Sequence, residues 1–551
     1  MSLHPRGNDP IPEETIRIAH AAYPKGNVYL RMRDELGVLF EDAAFSRLFS
    51  LSGQSAHSPG RLALVTLMQF AEHLTDRQAA DAVRGRIDWK YALGLALSDA
   101  GVDYSVLSEF RSRLIAHSAE EQLLNTLLET CRARGWVKAG GQQRTDSTHV
   151  LAAVRELNRL ECVGETVRQA LEVLVDVAPR WLRGWLSPDW VVRYAQPMDS
   201  FRLPKDVTAR EQLGQVIGGD GYVLLSHVYA DSAPRWLREV PAVETLRRVW
   251  VQQYEVRDEQ IFWRAEQDLP PAQELIGSPF DPDARTSTKR DLTWNGYKVH
   301  LTETCEPDAP HVLTNVITTP ATVPDVSVTA QVHDDLAAKG LCPEVHVVDE
   351  GYTDAAELAH AQAVHHIQVL GPVRASTSWQ AQAAQGYALE DFHIDWVAQQ
   401  VTCPHGQHSH SWTTQQDHCG NPRLTVKFPT AACRACPTRA LCTRGAEGVR
   451  KLSFQPEAEY RALQAARAYQ ATPDFKARYT VRAGIEGTLS QGVGALGLRV
   501  ARYWGLAKTH LQHLLTATAM DYLRIADWLM GNPRATTRQS KLKTFAALAS
   551  L

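Results

Sequence analysis

Apolar residues recur three and four positions apart through much of the first quarter of the chain. Residues 59–97 and 103–135 both show this spacing, and a proline opens the first stretch. The pattern is typical of amphipathic helices, which pack one face against a core. It predicts a helical domain over residues 58–136, preceded by a leader over 1–57.

Several arginines in this helical domain suit contact with a DNA duplex. Helical pairs joined by short turns are a common DNA-binding unit, because one helix can enter the major groove. A purely structural helical scaffold would carry the same side chains, so both interpretations stay open. The arginines concerned are Arg77, Arg84, Arg86, Arg111 and Arg113.

After residue 137 the pattern changes to short β-rich runs that alternate with helical stretches. Polar and apolar residues alternate in some of these runs, and β-branched residues are enriched, as in paired strands. Strands that alternate with helices along the chain indicate an α/β core with parallel pairing. Strands are predicted over 140–150, over 293–318 as a pair, and over 344–352, with helices over 325–338 and 354–363.

This core is expected to extend over residues 137–515 and to carry two insertions. Residues 151–280 are rich in Leu, Arg and Glu and are broken by Pro and Gly, which predicts a helical insertion. Residues 371–472 hold a cluster of cysteines and form a Cys-containing insertion. Residues 516–551 are predicted to form a basic C-terminal helix and tail.

Length and composition fit a globular protein of more than one folding unit. The chain has 551 residues, of which 44% are hydrophobic and 22% charged; single domains are usually shorter. The first residues lack a basic segment followed by an apolar run, and no apolar stretch approaches the ~20 residues that span a bilayer. We therefore expect a cytoplasmic protein without a membrane partner.

The charge is unevenly distributed along the chain. The formal net charge is -4, yet the segment from residue 451 onward has fourteen basic and six acidic residues. A basic segment of this kind either contacts the DNA backbone or forms solvated helix faces with a basic tail. Charge alone leaves both interpretations open.

Three acidic residues are placed as a two-metal site requires. Asp146 and Asp349 each lie at the C-terminal end of a predicted strand, where open α/β sheets collect their functional groups, and Glu486 lies on a predicted helix. Carboxylate oxygens are the ligands that Mg²⁺ prefers. Two such ions can activate the attacking oxygen and stabilise the leaving oxygen of a phosphodiester. Glu350 and Asp354 are alternatives to Asp349, or helix N-terminal acids.

Tyr479, Arg482 and Glu486 are spaced three and four apart, so they share one face of the predicted helix. Arg482 suits either an ion pair with Glu486 or a bidentate contact with a DNA phosphate.

Together these segments resemble the DDE transposases of bacterial insertion sequences, specifically the insertion-sequence family numbered 1182. The resemblance runs from SPGRLALVTLMQF and LSEFRSRL in the helical block through TDSTHV, TWNGYKVHLTET and VVDEGYTD. It is most specific in the stretch from YTVRAGIEGTLSQ to about residue 525.

The resemblance implies an RNase H-like core. The first Asp of such a core lies on the first strand, the second after the fourth strand and the Glu on a later helix, and these places match Asp146, Asp349 and Glu486. Separations of 203 and 137 residues between them require insertions in both gaps. The implied cofactor is Mg²⁺ or Mn²⁺.

The resemblance also implies a set of DNA contacts around the third acid. Tyr479, Arg482 and Glu486 match the family's Tyr, Arg, Glu, Lys signature, but Val493 stands where its basic residue is expected. Phosphate contacts tolerate relocation better than base contacts do. The candidates to replace that basic residue are Arg499, Arg502 and Lys508.

Cysteines cluster between the second and third acids. The preferred set for a structural Zn²⁺ is Cys403, Cys433, Cys436 and Cys442, because zinc takes a closed tetrahedron of sulfur or nitrogen ligands. Reduced metal-free thiols and an iron-sulfur cluster are the alternatives. Substitute zinc ligands are Cys419, His405, His408 and His410.

The function expected from this resemblance is metal-dependent cleavage of element ends, followed by transfer of the freed 3′ hydroxyl to target DNA. The partners would be double-stranded DNA, as terminal inverted repeats and target, and a second copy in a homodimer on the nucleoid. Two alternatives remain: an inactive or domesticated DNA-binding derivative, and a metal-dependent nuclease without strand transfer.

Overall fold

The computed structural model describes residues 2–532, with gaps at 4, 6–9, 200, 202, 259 and 419. Two groups of predicted functional residues fall outside the described part. They are the substitute ligand Cys419, and the tail residues Arg534, Arg538, Lys541 and Lys543. The described chain mixes helices with a central sheet, as an α/β class requires.

The N-terminal helices share one hydrophobic core with the central sheet. Trp89, Phe110 and Leu127 pack in the same cluster as Val299 and Leu301 of the sheet. The segment predicted as a leader contributes two of these helices, and the limits of the helical domain stay a prediction. The helices are α1 (Glu13–Ala22), α2 (Val28–Leu36), α3 (Pro59–Ala71), α4 (Asp76–Gly85), α5 (Ile87–Leu93), α6 (Tyr104–Ala116) and α7 (Gln122–Ala133).

The first strand, β1 (Gln142–Leu151), is followed by a helical insertion with a core of its own. Asn158 caps its first helix through a capping box with Glu161. The insertion contains α8 (Arg159–Val177), α9 (Pro179–Arg183), α10 (Pro188–Tyr194), α11 (Val207–Tyr229), α12 (Pro241–Gln253), β2 (Tyr254–Arg257) and β3 (Gln260–Trp263).

Six strands form the main sheet. The five that join β1 there are β4 (Arg285–Lys289), β5 (Leu292–Thr304), β6 (Leu313–Pro320), β7 (Val345–Val347) and β8 (Gln368–Leu370), and the helices between them are α13 (Thr329–Ala338) and α14 (Ala355–His360). Strand β5 pairs antiparallel with β1, β4 and β6, whereas β1, β7 and β8 run parallel. The predicted strand pair over 293–318 is confirmed as β5 and β6.

The Cys-containing insertion is a small unit of strands and short helices. Phe392, Val426, Phe428 and Phe454 form its apolar centre. Its elements are α15 (Trp379–Ala383), β9 (His393–Asp395), β10 (Gln400–Thr402), β11 (Ser411–Gln416), β12 (Pro422–Lys427), α16 (Thr430–Ala435), α17 (Arg439–Cys442) and β13 (Lys451–Phe454).

Four helices end the described chain: α18 (Glu457–Gln470), α19 (Pro473–Tyr479), α20 (Gly484–Leu496) and α21 (Leu506–Leu529). Helix α21 passes through the core between β6, α3 and α7, and residues 511–522 are buried. The part of the predicted basic C-terminal helix that is described is therefore a core element. Its arginine, Arg524, is paired internally with Glu303.

Shorter turns complete the chain. The 3-10 turns are Asp42–Leu48, Arg235–Glu239, Glu266–Asp268, Asp325–Val328, Glu350–Tyr352, Leu389–Asp391 and Thr480–Ala483, and Ala361–His365 forms a π turn. Across the described residues, none of the helices combines the length and the apolar character needed to cross a membrane.

Candidate active site

Strand register brings Asp146 level with Asp349. The parallel pairing of β1 with β7 ends at Arg144 opposite Val347, and each aspartate follows two residues later. Contrary to expectation, Asp146 does not end its strand. Strand β1 runs on to Leu151, because its other edge stays paired with β5 after β7 has ended.

The three predicted acids meet around one guanidinium group. Arg482 Nη2 lies 2.8 Å from Asp146 Oδ2 and 3.9 Å from Asp349 Oδ2, while its Nη1 lies 2.9 Å from Glu486 Oε1. The predicted ion pair between Arg482 and Glu486 is confirmed. The same guanidinium also joins two acids that are 203 residues apart in the chain.

Burial makes Asp146 sensitive to nearby charge. Its side chain is only 12% exposed, and this burial raises its pKa to about 6. Arg482 and the Ser147 N–H oppose the shift, whereas the negative charge of Asp349 adds to it. A further positive charge at this position would favour the ionised carboxylate.

A short 3-10 turn fixes the position of Asp349. Its Oδ1 accepts a hydrogen bond of 2.8 Å from the Gly351 N–H. Three residues after Asp349, the hydroxyl of the fully buried Tyr352 lies 2.7 Å from His300 Nδ1 and also hydrogen-bonds the Ser147 side chain. Tyr352 therefore ties the turn after β7 to β1 and β5.

The alternative acids next to Asp349 have other partners. Glu350 lies 3.4 Å from Arg374, and Asp354 caps α14 by accepting from the Glu357 N–H. Neither belongs to the group of acids that contacts Arg482.

Glu486 is held in place by a buried ion cluster. The sequence analysis did not predict this cluster. Glu303 is fully buried on β5 and pairs with Arg144 of β1 and Arg524 of α21, each at 2.7–2.8 Å. Thr488 of α20 donates to Glu303 Oε2 at 2.6 Å. Although burial opposes its ionisation, Arg524, Arg144 and Thr488 together lower the pKa of Glu303.

This cluster fixes the first turn of α20 against the sheet. One sequence signal for this cluster is the spacing of Arg144 and Asp146, which are two positions apart and therefore lie on the same face of β1. The partner of Arg144 could not be read from the pattern, because Glu303 reaches it only through strand pairing.

The predicted DNA contacts differ in how far they are accessible. Tyr479 is half-buried and stacks on Phe475, whereas Lys508 is exposed. Arg499 is exposed and donates to Thr148 Oγ1 at 2.8 Å. Arg502 is engaged inside the protein, where it contacts the Leu74 carbonyl and His73 and lies over the Phe70 ring.

Three of the arginines predicted to contact a duplex are engaged in ion pairs. Arg84 pairs with Asp81, Arg86 with Glu72 and Asp88, and Arg111 with Asp76. The other two lie over aromatic rings, Arg77 over Tyr104 and Arg113 over Phe49. These contacts fit a helical scaffold, and contact with a duplex stays a prediction.

The four preferred cysteines line one small cavity of about 280 Å³. Burial raises the pKa of Cys442, Arg450 opposes the shift, and the thiols of Cys433, Cys403 and Cys436 add to it. The Gln407 N–H donates to Cys403 Sγ at 3.4 Å.

Two of the substitute histidines have hydroxyl partners close to them. His405 lines the same cavity, but its Nε2 is 2.6 Å from Thr438 Oγ1. His408 lies 3.1 Å from Thr402 Oγ1.

Comparison with known protein families adds two matches. Residues 402–526 match the model of the transposase DDE domain, and residues 19–113 match the model of a transposase domain, DUF772. The two matches indicate a DNA transposase. They support a DDE transposase of the insertion-sequence type, and the DDE match includes Tyr479, Arg482 and Glu486. No curated protein and no solved structure matches the chain.

The donor atoms around Arg482 fit a divalent cation by type. They are carboxylate oxygens, and the site already attracts one positive group, whose Nε is buried without a hydrogen-bond partner among the described residues. As arranged, no three His, Cys, Asp or Glu side chains in the described part of the chain are spaced to hold a metal ion. The Arg482 guanidinium stands between the three acids.

Proposed function

We propose that the protein is a transposase that cleaves the ends of a mobile element and joins the freed 3′ hydroxyl to target DNA. The observation that carries the proposal is the contact of Asp146, Asp349 and Glu486 with the single guanidinium of Arg482. Three carboxylates from distant segments of the chain share the positive charge of this guanidinium. The same oxygens are of the type that binds divalent metal ions.

An RNase H-like core is part of this proposal. The sheet order β6-β5-β1-β7-β8, antiparallel on one side of β1 and parallel on the other, supports it. If β4 is counted as an added edge strand, Asp146 lies on the first strand and Asp349 follows the fourth. These are the places that the family resemblance implies.

Asp146, Asp349 and Glu486 would hold Mg²⁺ or Mn²⁺. When bound, such ions activate the attacking oxygen and stabilise the leaving oxygen of a phosphodiester. The protein's contribution is to hold the acids in place. The register of β1 and β7 sets two of them, and the Glu303 cluster fixes the helix that carries the third.

Arg482 has two tasks in this proposal. Without bound cations it offsets the repulsion between the acids, of which Asp146 is the most buried. With cations present it would turn outward to a DNA phosphate, because a guanidinium matches phosphate oxygens bidentately. Tyr479, Arg499 and Lys508 remain proposed DNA contacts beside it, and Arg502 requires release from the N-terminal helices.

The substrate would be double-stranded DNA, both as terminal inverted repeats and as target, which places the protein at the nucleoid. Joining two ends requires a pair of active sites, so we propose a homodimer in the synaptic complex. Structural Zn²⁺ at Cys403, Cys433, Cys436 and Cys442 is proposed because their thiols line one cavity. As they stand, these thiols are not spaced to enclose an ion, so zinc would have to draw them together.

The test uses purified full-length protein and duplexes that carry the inverted repeats flanking its gene. With Mg²⁺, the proposal expects nicking at the repeat ends and joined products when target DNA is added. Cutting without joining would identify a nuclease. End binding without either product would identify an inactive or domesticated derivative.

A further inference from the structure

The N-terminal helices enclose a cavity of about 420 Å³ that the proposed active site does not use. It lies between α2, the start of α3 and the segment that precedes α6. Arg33 of α2 and Arg61 of α3 both line it, and both side chains are half-buried. Much of the remaining wall is apolar, with Leu39 and Val65 among its residues.

The two guanidinium groups face this cavity without a carboxylate partner. In the part of the chain that is described, no acidic side chain lies within ion-pair distance of Arg33 or Arg61. The polar contact of Arg33 is a long one of 3.4 Å to the Gly37 carbonyl. Burial lowers the pKa of Arg33 and the neighbouring charge of Arg61 lowers it further, while Tyr91, Tyr522 and Asp34 oppose the shift.

Two aspartates also line the cavity, and both are tied to its own wall. Asp42 Oδ1 accepts from the Ser58 hydroxyl at 2.6 Å and from the Gly60 N–H at 3.0 Å. Asp99 Oδ1 accepts from the Gly101 N–H at 2.8 Å. These bonds hold the loops that shape the cavity.

Arg33 and Arg61 differ from other arginines of the N-terminal helices in their partners. Arg84, Arg86 and Arg111 are neutralised by neighbouring acids. Among the described residues no carboxylate forms an ion pair with Arg33 or Arg61, and the two like charges repel each other at a position where water is partly excluded. Such a pair is stable when an anion lies between the two groups.

We propose that this cavity binds a phosphate group between Arg33 and Arg61. Guanidinium groups match phosphate oxygens in a fork geometry, and two of them can bind one phosphate from both sides. The favoured source is a phosphodiester of duplex DNA lying over the N-terminal helices, and that choice rests on the proposed function. The other source of the same chemistry is a free phosphate compound.

The DNA arm of the test measures binding of full-length protein to two duplexes, one with the flanking inverted repeat and one of random sequence. R33Q/R61Q should weaken binding to both by about 10- to 100-fold. It should also reduce the slope of log affinity against log salt by about two, because two cationic contacts are lost.

Matched variants separate a lost contact from a lost fold. R31Q removes an exposed arginine of α2 that pairs with Glu35, so its affinity and slope should stay at the wild-type values. R33K/R61K keeps both charges and should retain most of the salt slope. Circular dichroism on every variant reports whether the helices remain folded.

The phosphate arm uses inorganic phosphate, with chloride at equal ionic strength as reference. Phosphate should raise the thermal midpoint of the wild type and of R31Q, but not that of folded R33Q/R61Q. If this holds while DNA binding is unchanged, the source is a free phosphate compound. If neither arm responds to R33Q/R61Q, the proposal is overturned.

The test of the phosphate cavity can be separated from the test of the proposed function, because the first measures binding and the second measures cleavage. Asp146→Ala should lose cleavage and yet keep the wild-type salt slope. Retained cleavage in Asp146→Ala would therefore contradict the active site without touching the phosphate cavity, and an unchanged slope in R33Q/R61Q would do the reverse.

Discussion

Gly484 stands so close to Arg144 that a Cβ atom built on it would lie 2.1 Å from the guanidinium Nη1. Arg144 is buried and bound to Glu303, so it has little room to move away. The first turn of α20, which carries Glu486, can approach the sheet only because this position has no side chain.

Gly484→Ala should therefore destabilise the protein, although alanine is normally the better helix former. The added methyl would displace Arg144 and disturb the buried pair with Glu303, at a cost of about 2–4 kcal/mol. Urea unfolding measures the change. Gly487→Ala is the control: the same helix leaves nothing within 4 Å of a Cβ there, so it should stabilise by up to about 1 kcal/mol. Equal effects of the two substitutions would contradict the steric argument.

Asp146→Ala, Asp349→Ala and Glu486→Ala should each abolish Mg²⁺-dependent cleavage and leave end binding intact. The reason is that each removes an oxygen donor from the proposed cation site. Glu350→Ala is the matched control, because Glu350 faces Arg374 instead. Cleavage and gel-shift assays on the flanking repeats decide the matter; a variant that still cuts would remove its residue from the site.

Arg482→Gln should lower stability without Mg²⁺ by about 1–3 kcal/mol, since it leaves Asp146 and Asp349 without their cation. The variant should gain more stability from added Mg²⁺ than the wild type does. Thermal unfolding across a Mg²⁺ titration measures both effects. Arg478→Gln, whose side chain contacts Tyr469 and Gln368, should respond to Mg²⁺ as the wild type does. An equal gain in all three proteins would contradict the counter-ion role.

Elemental analysis of protein purified under reducing, chelator-free conditions should find about one zinc per chain. Cys433→Ser with Cys436→Ser should lose it, whereas Cys342→Ser, far from the cavity, should keep it. A protein without zinc would defeat the proposal. Iron with visible absorbance would instead indicate an iron-sulfur cluster.

The contribution of three buried histidines to stability should fall as the pH drops below about 6.5. Burial lowers the pKa of His300 and His333 to about 4 and that of His513 to about 3. These histidines are neutral in the fold, so the unfolded chain binds protons first, between its ordinary pKa and these lower values. Each contributes up to about 1.4 kcal/mol of lost stability per pH unit in that window.

Urea midpoints between pH 7.5 and 4.5 test this dependence. His513→Gln should make the decline shallower, and His117→Gln, at an exposed position, should leave it unchanged. The same pH dependence in His513→Gln and the wild type would contradict the assignment of a neutral buried His513.

Local pattern was enough to predict the β5 and β6 pair and the helical character of the N-terminal block. It also selected Asp146, Asp349 and Glu486 as acids of one site. These features depend on neighbouring residues, because the periods of helices and strands and the preference of Mg²⁺ for oxygen can be read within a short window.

The sequence alone therefore determined which chemistry the chain can offer, and the tertiary structure decided where that chemistry meets. The level position of Asp146 and Asp349, the contact of all three acids with Arg482 and the Arg144–Glu303–Arg524 cluster depend on strand pairing and packing between distant segments. The internal ion pairs of Arg86 and Arg111 depend on the same packing. Pairing of distant segments is selected by the burial of the whole core, and a sequence window has no access to that free energy.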